Sequence, residues 1–168
     1  RSIDFGGKSR YLCIGSESTV VVWDLKKRVA VRQFRCHSRV LKCCIRTLSE
    51  HLVYALCETD LEIFGLQGGD RRARQTILPG SVDYAFQPKS FTLVVATMDK
   101  QIVLYDTSKL ESGLKETSLM CRTPTTPLQI CYVNEDQLAI LCVNGCYVFK
   151  SGKLLSVVSV SRDGPPST

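Results

Sequence analysis

Nine cysteines and two histidines are the residues of this 168-residue chain whose types are best suited to chemistry. Thiols and imidazoles bind metals, form disulfides or attack as nucleophiles, and each task demands a pattern. Cys142 and Cys146 have three residues between them, but no second Cys/His pair at similar spacing accompanies them, as a structural zinc site needs. An odd cysteine count leaves at least one thiol unpaired in a monomer. Cys13, Cys43, Cys44, Cys57, Cys131, Cys142 and Cys146 fall inside apolar, β-rich runs, where a free thiol behaves as a small buried hydrophobe. The expectation is reduced, buried thiols with no metal, in a reducing, intracellular compartment. His37 and His51 lack the Gly-x-Ser-x-Gly or His-Glu-x-x-His context of a catalytic base or ligand. Gly68-Gly69-Asp70-Arg71-Arg72 lacks the Gly-Lys-Ser/Thr ending of a phosphate loop, and Glu135-Asp136 reads as a polar turn. No catalytic residue and no cofactor site emerges, so an enzyme is not expected.

Charge offers the other candidate site. Lys26, Lys27, Arg28, Arg32, Arg35, Arg39 and Lys42 follow one another without an acidic residue, and Arg71, Arg72 and Arg74 form a second cluster. The chain carries a net charge of +6 and a pI near 8.9. Two explanations stand side by side. Exposed sheet edges carry Lys and Arg to prevent edge pairing; equally, such a patch holds an acidic protein surface or an RNA backbone. No aromatic platform is interleaved with the charges, so base-specific RNA recognition is not expected.

The elements that position these residues follow from a repeat. Thr19-Val20-Val21-Val22-Trp23-Asp24-Leu25, Asp60-Leu61-Glu62-Ile63-Phe64-Gly65-Leu66, Gln101-Ile102-Val103-Leu104-Tyr105-Asp106-Thr107 and Gly145-Cys146-Tyr147-Val148-Phe149-Lys150 end alike. The aromatics Trp23, Phe64, Tyr105 and Phe149 recur at intervals of 41, 41 and 44 residues, the period of a four-stranded propeller blade. A β-rich run precedes each aromatic strand across a polar turn, at 11–14, 52–57, 92–97 and 138–143. Further strands fit upstream at 2–5, 40–45, 81–86 and 128–133, and downstream at 29–34, 73–78, 114–120 and 154–160. The one helical candidate, 110–119, is weakened by Gly113. The prediction is an all-β chain, a partial β-propeller of about four blades of four antiparallel strands. Its units span 1–38, 39–79, 80–125 and 126–162, and a polar tail occupies 163–168. No apolar run reaches the ~18 residues of a membrane span, and residues 1–10 hold no signal-peptide stretch.

Val22-Trp23-Asp24-Leu25 and Tyr105-Asp106 resemble the strand endings of the WD40-repeat family, and Cys36-His37 stands where that family carries Gly-His. Phe64-Gly65 and Phe149-Lys150 depart from the pattern, so the family's buried Asp–His–Ser–Trp network is complete in no blade. The resemblance implies a non-enzymatic scaffold that binds other proteins. Lys8-Ser9-Arg10-Tyr11-Leu12-Cys13 with Val22-Trp23-Asp24-Leu25-Lys26, and Met98-Asp99-Lys100-Gln101 through Thr107, resemble the centrosomal WD-repeat family that recruits the γ-tubulin ring complex. That implies a centrosome or spindle adaptor in the cytoplasm. The last two units also resemble a small-subunit-processome WD protein, which implies an RNA-associated, nuclear or nucleolar assembly subunit. Four units head to tail leave an apolar face open at each end. The expectation is a ring completed by further blades, a second copy or a partner.

Overall fold

The computed structural model describes residues 2–6, 10–46, 51–76, 80–109 and 115–159. Lys8-Ser9 and the tail at 163–168 lie outside them. The described residues form four separate four-stranded antiparallel sheets, each a simple meander. Blade 1 comprises β1 (Ser2–Gly6), β2 (Tyr11–Ser16), β3 (Thr19–Asp24) and β4 (Val29–Arg35). Blade 2 comprises β5 (Val40–Arg46), β6 (Leu52–Cys57), β7 (Asp60–Gly65) and β8 (Arg71–Thr76). Blade 3 comprises β9 (Ser81–Phe86), β10 (Thr92–Thr97), β11 (Gln101–Asp106) and β12 (Lys115–Arg122). Blade 4 comprises β13 (Pro127–Tyr132), β14 (Gln137–Cys142), β15 (Gly145–Lys150) and β16 (Lys153–Ser159). The four aromatics occupy the third strand of successive sheets. They pair across the ladder with Leu12, Val53, Leu93 and Leu138.

Tight turns set the registers. Ser16 pairs with Thr19 around the two-residue turn Glu17-Ser18, where Glu17 takes a φ of 50°. Gly145 opens β15 beside β16, and a Cβ there would lie 2.6 Å from the Val158 carbonyl oxygen. The structure shifts two expected outer strands. β8 begins at Arg71 rather than 73, because Arg71 is the residue that pairs with Phe64. The helical candidate at 110–119 becomes strand where it is described, since β12 is held by β11 over its length; positions 110–114, 77–78 and 160 fall outside the described residues.

Period-two alternation sends successive side chains to opposite faces, and three cores form between neighbouring blades. Cys13, Val20, Val22 and Phe34 meet Val40, Cys43, Val53 and Phe64 between blades 1 and 2. Tyr54, Leu56, Leu61 and Ile63 meet Tyr84, Leu93, Val95 and Tyr105 between blades 2 and 3. Val94, Ala96 and Ile102 meet Ile130, Leu138, Ile140 and Phe149 between blades 3 and 4. Each fully buried Val, Leu, Ile or Phe among them contributes about 1.5–3 kcal/mol. The innermost strands carry the joins: β1 and β2 lie against β5, and β9 against β13. Gly15 marks a close approach of blades 1 and 2, where a Cβ would stand 2.8 Å from Val40 Cγ1. Among the described residues no helix is long and apolar enough to cross a membrane.

Candidate functional site

Each join is fastened by side chains from the innermost strands. Ser2 Oγ accepts the Cys43 N–H at 3.1 Å and Asp4 Oδ2 the Ile45 N–H at 3.2 Å, tying blade 1 to blade 2. Lys42 Nζ donates to the Tyr84 carbonyl at 2.7 Å and lies 2.7 Å from Asp83 Oδ1, tying blade 2 to blade 3. Asp83 Oδ2 accepts the Ile130 N–H at 2.8 Å, tying blade 3 to blade 4. Ser2, Lys42 and Asp83 hold one register place, across the ladders from the residue three before each aromatic. On blade 4 that place belongs to Gln129, which is exposed. The two end faces are apolar and open. Ile3 and Trp23 stand exposed on blade 1; Leu128, Leu141, Val143 and Val158 do so on blade 4.

The basic residues singled out by sequence divide. Arg32 donates to the Leu66 and Gln67 carbonyls, at 3.1 and 2.7 Å, and so bridges blades 1 and 2. Arg71 pairs with Glu62 at 2.8 Å, Arg74 with Asp60 at 2.8 Å, Arg72 with Asp70 at 3.2 Å and Arg39 with Glu58 at 3.9 Å. Lys42 is committed to the join just described. Lys26, Lys27, Arg28 and Arg35 remain exposed. The first three form the turn between β3 and β4. That turn is held by Asp24, whose Oδ1 accepts the Lys26 and Lys27 N–H groups at 3.0 Å each. Asp24 Oδ2 also takes Arg10 Nη2 at 2.9 Å. The Arg10 guanidinium first, then the turn amides, holds the Asp24 carboxyl below the usual carboxylate range, against the opposing effect of burial.

Beside this turn a groove opens on the rim between blades 1 and 2, lined by Arg10, Tyr11, Asp24, Lys27, Val31, Arg32, His51, Leu66 and Gln67. Tyr11 and His51 meet edge to face, ring centroids 5.6 Å apart, and Arg10 lies over the Tyr11 ring. Three cations face one carboxylate here. Sequence reasoning found Lys27 and Arg32 but missed Arg10, Tyr11 and His51. They lie outside the charge run and enter only because β2 packs beside the start of blade 2.

All nine cysteines are free thiols. Cys13, Cys36, Cys43, Cys57 and Cys142 are buried, while Cys131 is exposed because it lies on the open face of blade 4. Cys13 Sγ and Cys43 Sγ are 3.5 Å apart across the first join. Cys36, Cys57 and Glu62 converge in the same core, one donor atom of each lying within 4.8 Å of the others. The sequence reading expected no metal ligands and missed this grouping, since Cys36 precedes β5, Cys57 ends β6 and Glu62 sits inside β7. His37 contributes its main-chain N–H to Glu62 Oε1 at 2.6 Å, and the residue itself is exposed.

No family model matches the chain, and no curated protein matches its sequence. Among solved structures, a chain in the crystal structure of the Mitotic Checkpoint Complex superposes with a TM-score of 0.71 at 13% identity. The match covers 84% of this chain and 45% of that one, so the chain spans less than half the length of its structural counterpart. At that identity the likeness concerns fold alone. Together with four meandering four-stranded sheets and an aromatic on every third strand, it establishes the architecture: an all-β arc of about four blades of a WD40-like β-propeller.

Proposed function

We propose that the chain is part of a non-enzymatic WD-repeat scaffold that mediates protein–protein interaction, and that it docks an acidic segment of a partner on the rim between blades 1 and 2. The cationic groove carries this proposal. Arg10, Lys27 and Arg32 outnumber Asp24, Lys26 and Arg28 extend the positive surface, and Tyr11 with His51 supplies an aromatic floor. Clustered cations attract an acidic partner and speed its encounter, an effect weakened by salt. A fluorescent Asp/Glu-rich peptide is expected to bind with marked salt dependence, and Lys26→Glu/Lys27→Glu to weaken it more than tenfold. Those two side chains make no contact that the fold relies on. Preferential binding of single-stranded RNA of equal charge would instead support an RNA-associated assembly subunit of the ribosome-biogenesis type.

The resemblance around Val22-Trp23-Asp24-Leu25-Lys26 and Tyr105-Asp106 supports a cytoplasmic setting, as an adaptor for γ-tubulin complexes at the centrosome or spindle. Co-sedimentation with γ-tubulin complexes is the direct test, and its absence under conditions where the acidic peptide binds removes that assignment. The open faces of blades 1 and 4 are proposed to seat further blades of a longer polypeptide. Support comes from the repeated join, from Gln129 standing at its next place, and from a structural counterpart more than twice as long as the matched region. Expressed alone, the chain is expected to self-associate or bind a hydrophobic dye, and added flanking sequence to suppress both. A tight dimer that masks both faces would make a second copy the occupant.

A further inference from the structure

The core between blades 1 and 2 contains one group that apolar packing does not explain. Glu62 is 0% exposed, Cys57 1% and Cys36 4%, and their donor atoms lie within 4.8 Å of one another. Cys57 Sγ is 4.0 Å from Glu62 Oε1, the oxygen that accepts the His37 N–H. Glu62 Oε2 accepts no hydrogen bond; Arg71 Nη2 is 2.8 Å away as an ion pair. A carboxylate taken fully out of water is costly to keep unless compensated, and here one main-chain N–H and one guanidinium do so.

We propose that Cys36, Cys57 and Glu62 form a binding site for a borderline-soft divalent cation of the zinc class. Two sulfurs and one carboxylate oxygen are the donors such an ion prefers. With bonds of about 2.0–2.3 Å, tetrahedral donors lie about 3.5–3.8 Å apart, so the three groups need close in by only ~1 Å. The charges balance in both states. Without the ion, two thiols, one carboxylate and the Arg71 guanidinium sum to zero. With it, two thiol protons leave to solvent, and a dication, two thiolates, the carboxylate and the guanidinium again sum to zero. That neutrality lets a buried site take a dication without stranding charge. The neighbouring Cys36 thiol, and then burial, pushes the Cys57 thiol well above its ordinary value. Cys57 therefore keeps its proton until a cation displaces it. Cys13 and Cys43 provide the internal contrast: their sulfurs stand 3.5 Å apart in the same core, but among the described residues no carboxylate is grouped with them.

Cobalt(II) added to the reduced, folded chain is the probe. The expected result is one equivalent bound with thiolate charge-transfer and tetrahedral d–d bands, two protons released per ion, and displacement by zinc. Cys57→Ser and Cys36→Ser should each remove most of the charge-transfer intensity. Glu62→Gln should weaken affinity more than tenfold while the thiolate bands persist, and Cys13→Ser should change nothing. Because a cysteine variant can misfold, the melting temperature of the unaltered chain is measured with and without zinc, and a rise is expected. Absence of the bands in folded protein, bands that survive both Cys36→Ser and Cys57→Ser, or a Cys36–Cys57 disulfide forming in place of cobalt uptake would each overturn the proposal.

Discussion

Blade 2 and blade 4 are made from the same kind of short apolar strand, yet their surfaces differ. Every residue of β6 and β7 is buried, whereas β14 and β15 alternate buried with half-buried or exposed positions. The cause lies outside the strands. Blade 2 has a sheet on each side, so both sets of alternate side chains find a core; blade 4 has one. Burial in a stacked-sheet protein is thus a property of neighbours, and stability accumulates at the joins rather than within each unit.

Leucines measure this most strongly. Leu61→Ala empties a fully enclosed site between blades 2 and 3 and is expected to cost about 2–5 kcal/mol. Leu141→Ala removes a side chain that is 42% exposed on the open face, and the expected change stays within about 0.5 kcal/mol. Urea unfolding of both variants is the check. Equal losses would mean that the outer face of blade 4 is covered in solution, and the comparison would move from fold to assembly.

The polar fastenings give a smaller version of the same contrast. Asp83→Ala orphans the Ile130 N–H and removes the ion-pair partner of Lys42, which keeps its bond to the Tyr84 carbonyl, with an expected loss of about 1–3 kcal/mol. Gln129→Ala, at the matching place on blade 4, should cost next to nothing in the chain alone. A substantial loss at Gln129 would show that something already occupies that face.

Thiol chemistry sharpens the picture by rate. Under native conditions a small alkylating agent should modify exposed Cys131 first, and Cys13, Cys36, Cys43, Cys57 and Cys142 only on unfolding. Cys44 is expected to be slow although only half-buried, because desolvation pushes its thiol up to about 12 and the thiolate is the reactive form. Mass spectrometry over a labelling time course decides; early loss of five or more thiols would contradict the packed joins.

The fold was legible because a period near 41 residues and an aromatic at each strand end are strong, local signals. Outer strands were less so: β8 is Arg-rich, and its start was placed by the apolar Ala73 when the ladder partner of Phe64 is Arg71. The candidate sites were legible only in part. Charge marked Lys26, Lys27 and Arg28, but nothing local distinguished them from Arg74, bound to Asp60, or Lys42, half-buried and committed to a join. Glu62 looked like an ordinary polar residue on an alternating strand. Its burial comes from the blade 1–2 join, where Cys36 and the His37 N–H close over it, and no single-strand pattern encodes that.

The smallest expected effect compares Asp24 with Asp106, the two acids that follow a strand-ending aromatic. Asp24 is 1% exposed and bound by Arg10 and two turn amides. Asp106 is half-buried and accepts the Ser108 N–H at 2.8 Å. Both carboxyls are held below their ordinary value, Asp24 chiefly by the Arg10 guanidinium and Asp106 chiefly by the Ser108 amide. A carboxyl whose pKa is lowered by folding adds stability in full above its unfolded value, near 3.9, and loses it as pH falls through the folded value. Asp24→Asn should therefore destabilise at pH 6–7, and its deficit relative to the unaltered chain should shrink as pH drops below about 4. Asp106→Asn should show the same trend with a smaller deficit, one that added salt erodes because its site is open to solvent. Urea titrations of the three proteins across this range test the ordering. A larger deficit for Asp106→Asn, or one for Asp24→Asn that grows in acid, would mean that the Arg10–Asp24 pair does not hold the β3–β4 turn.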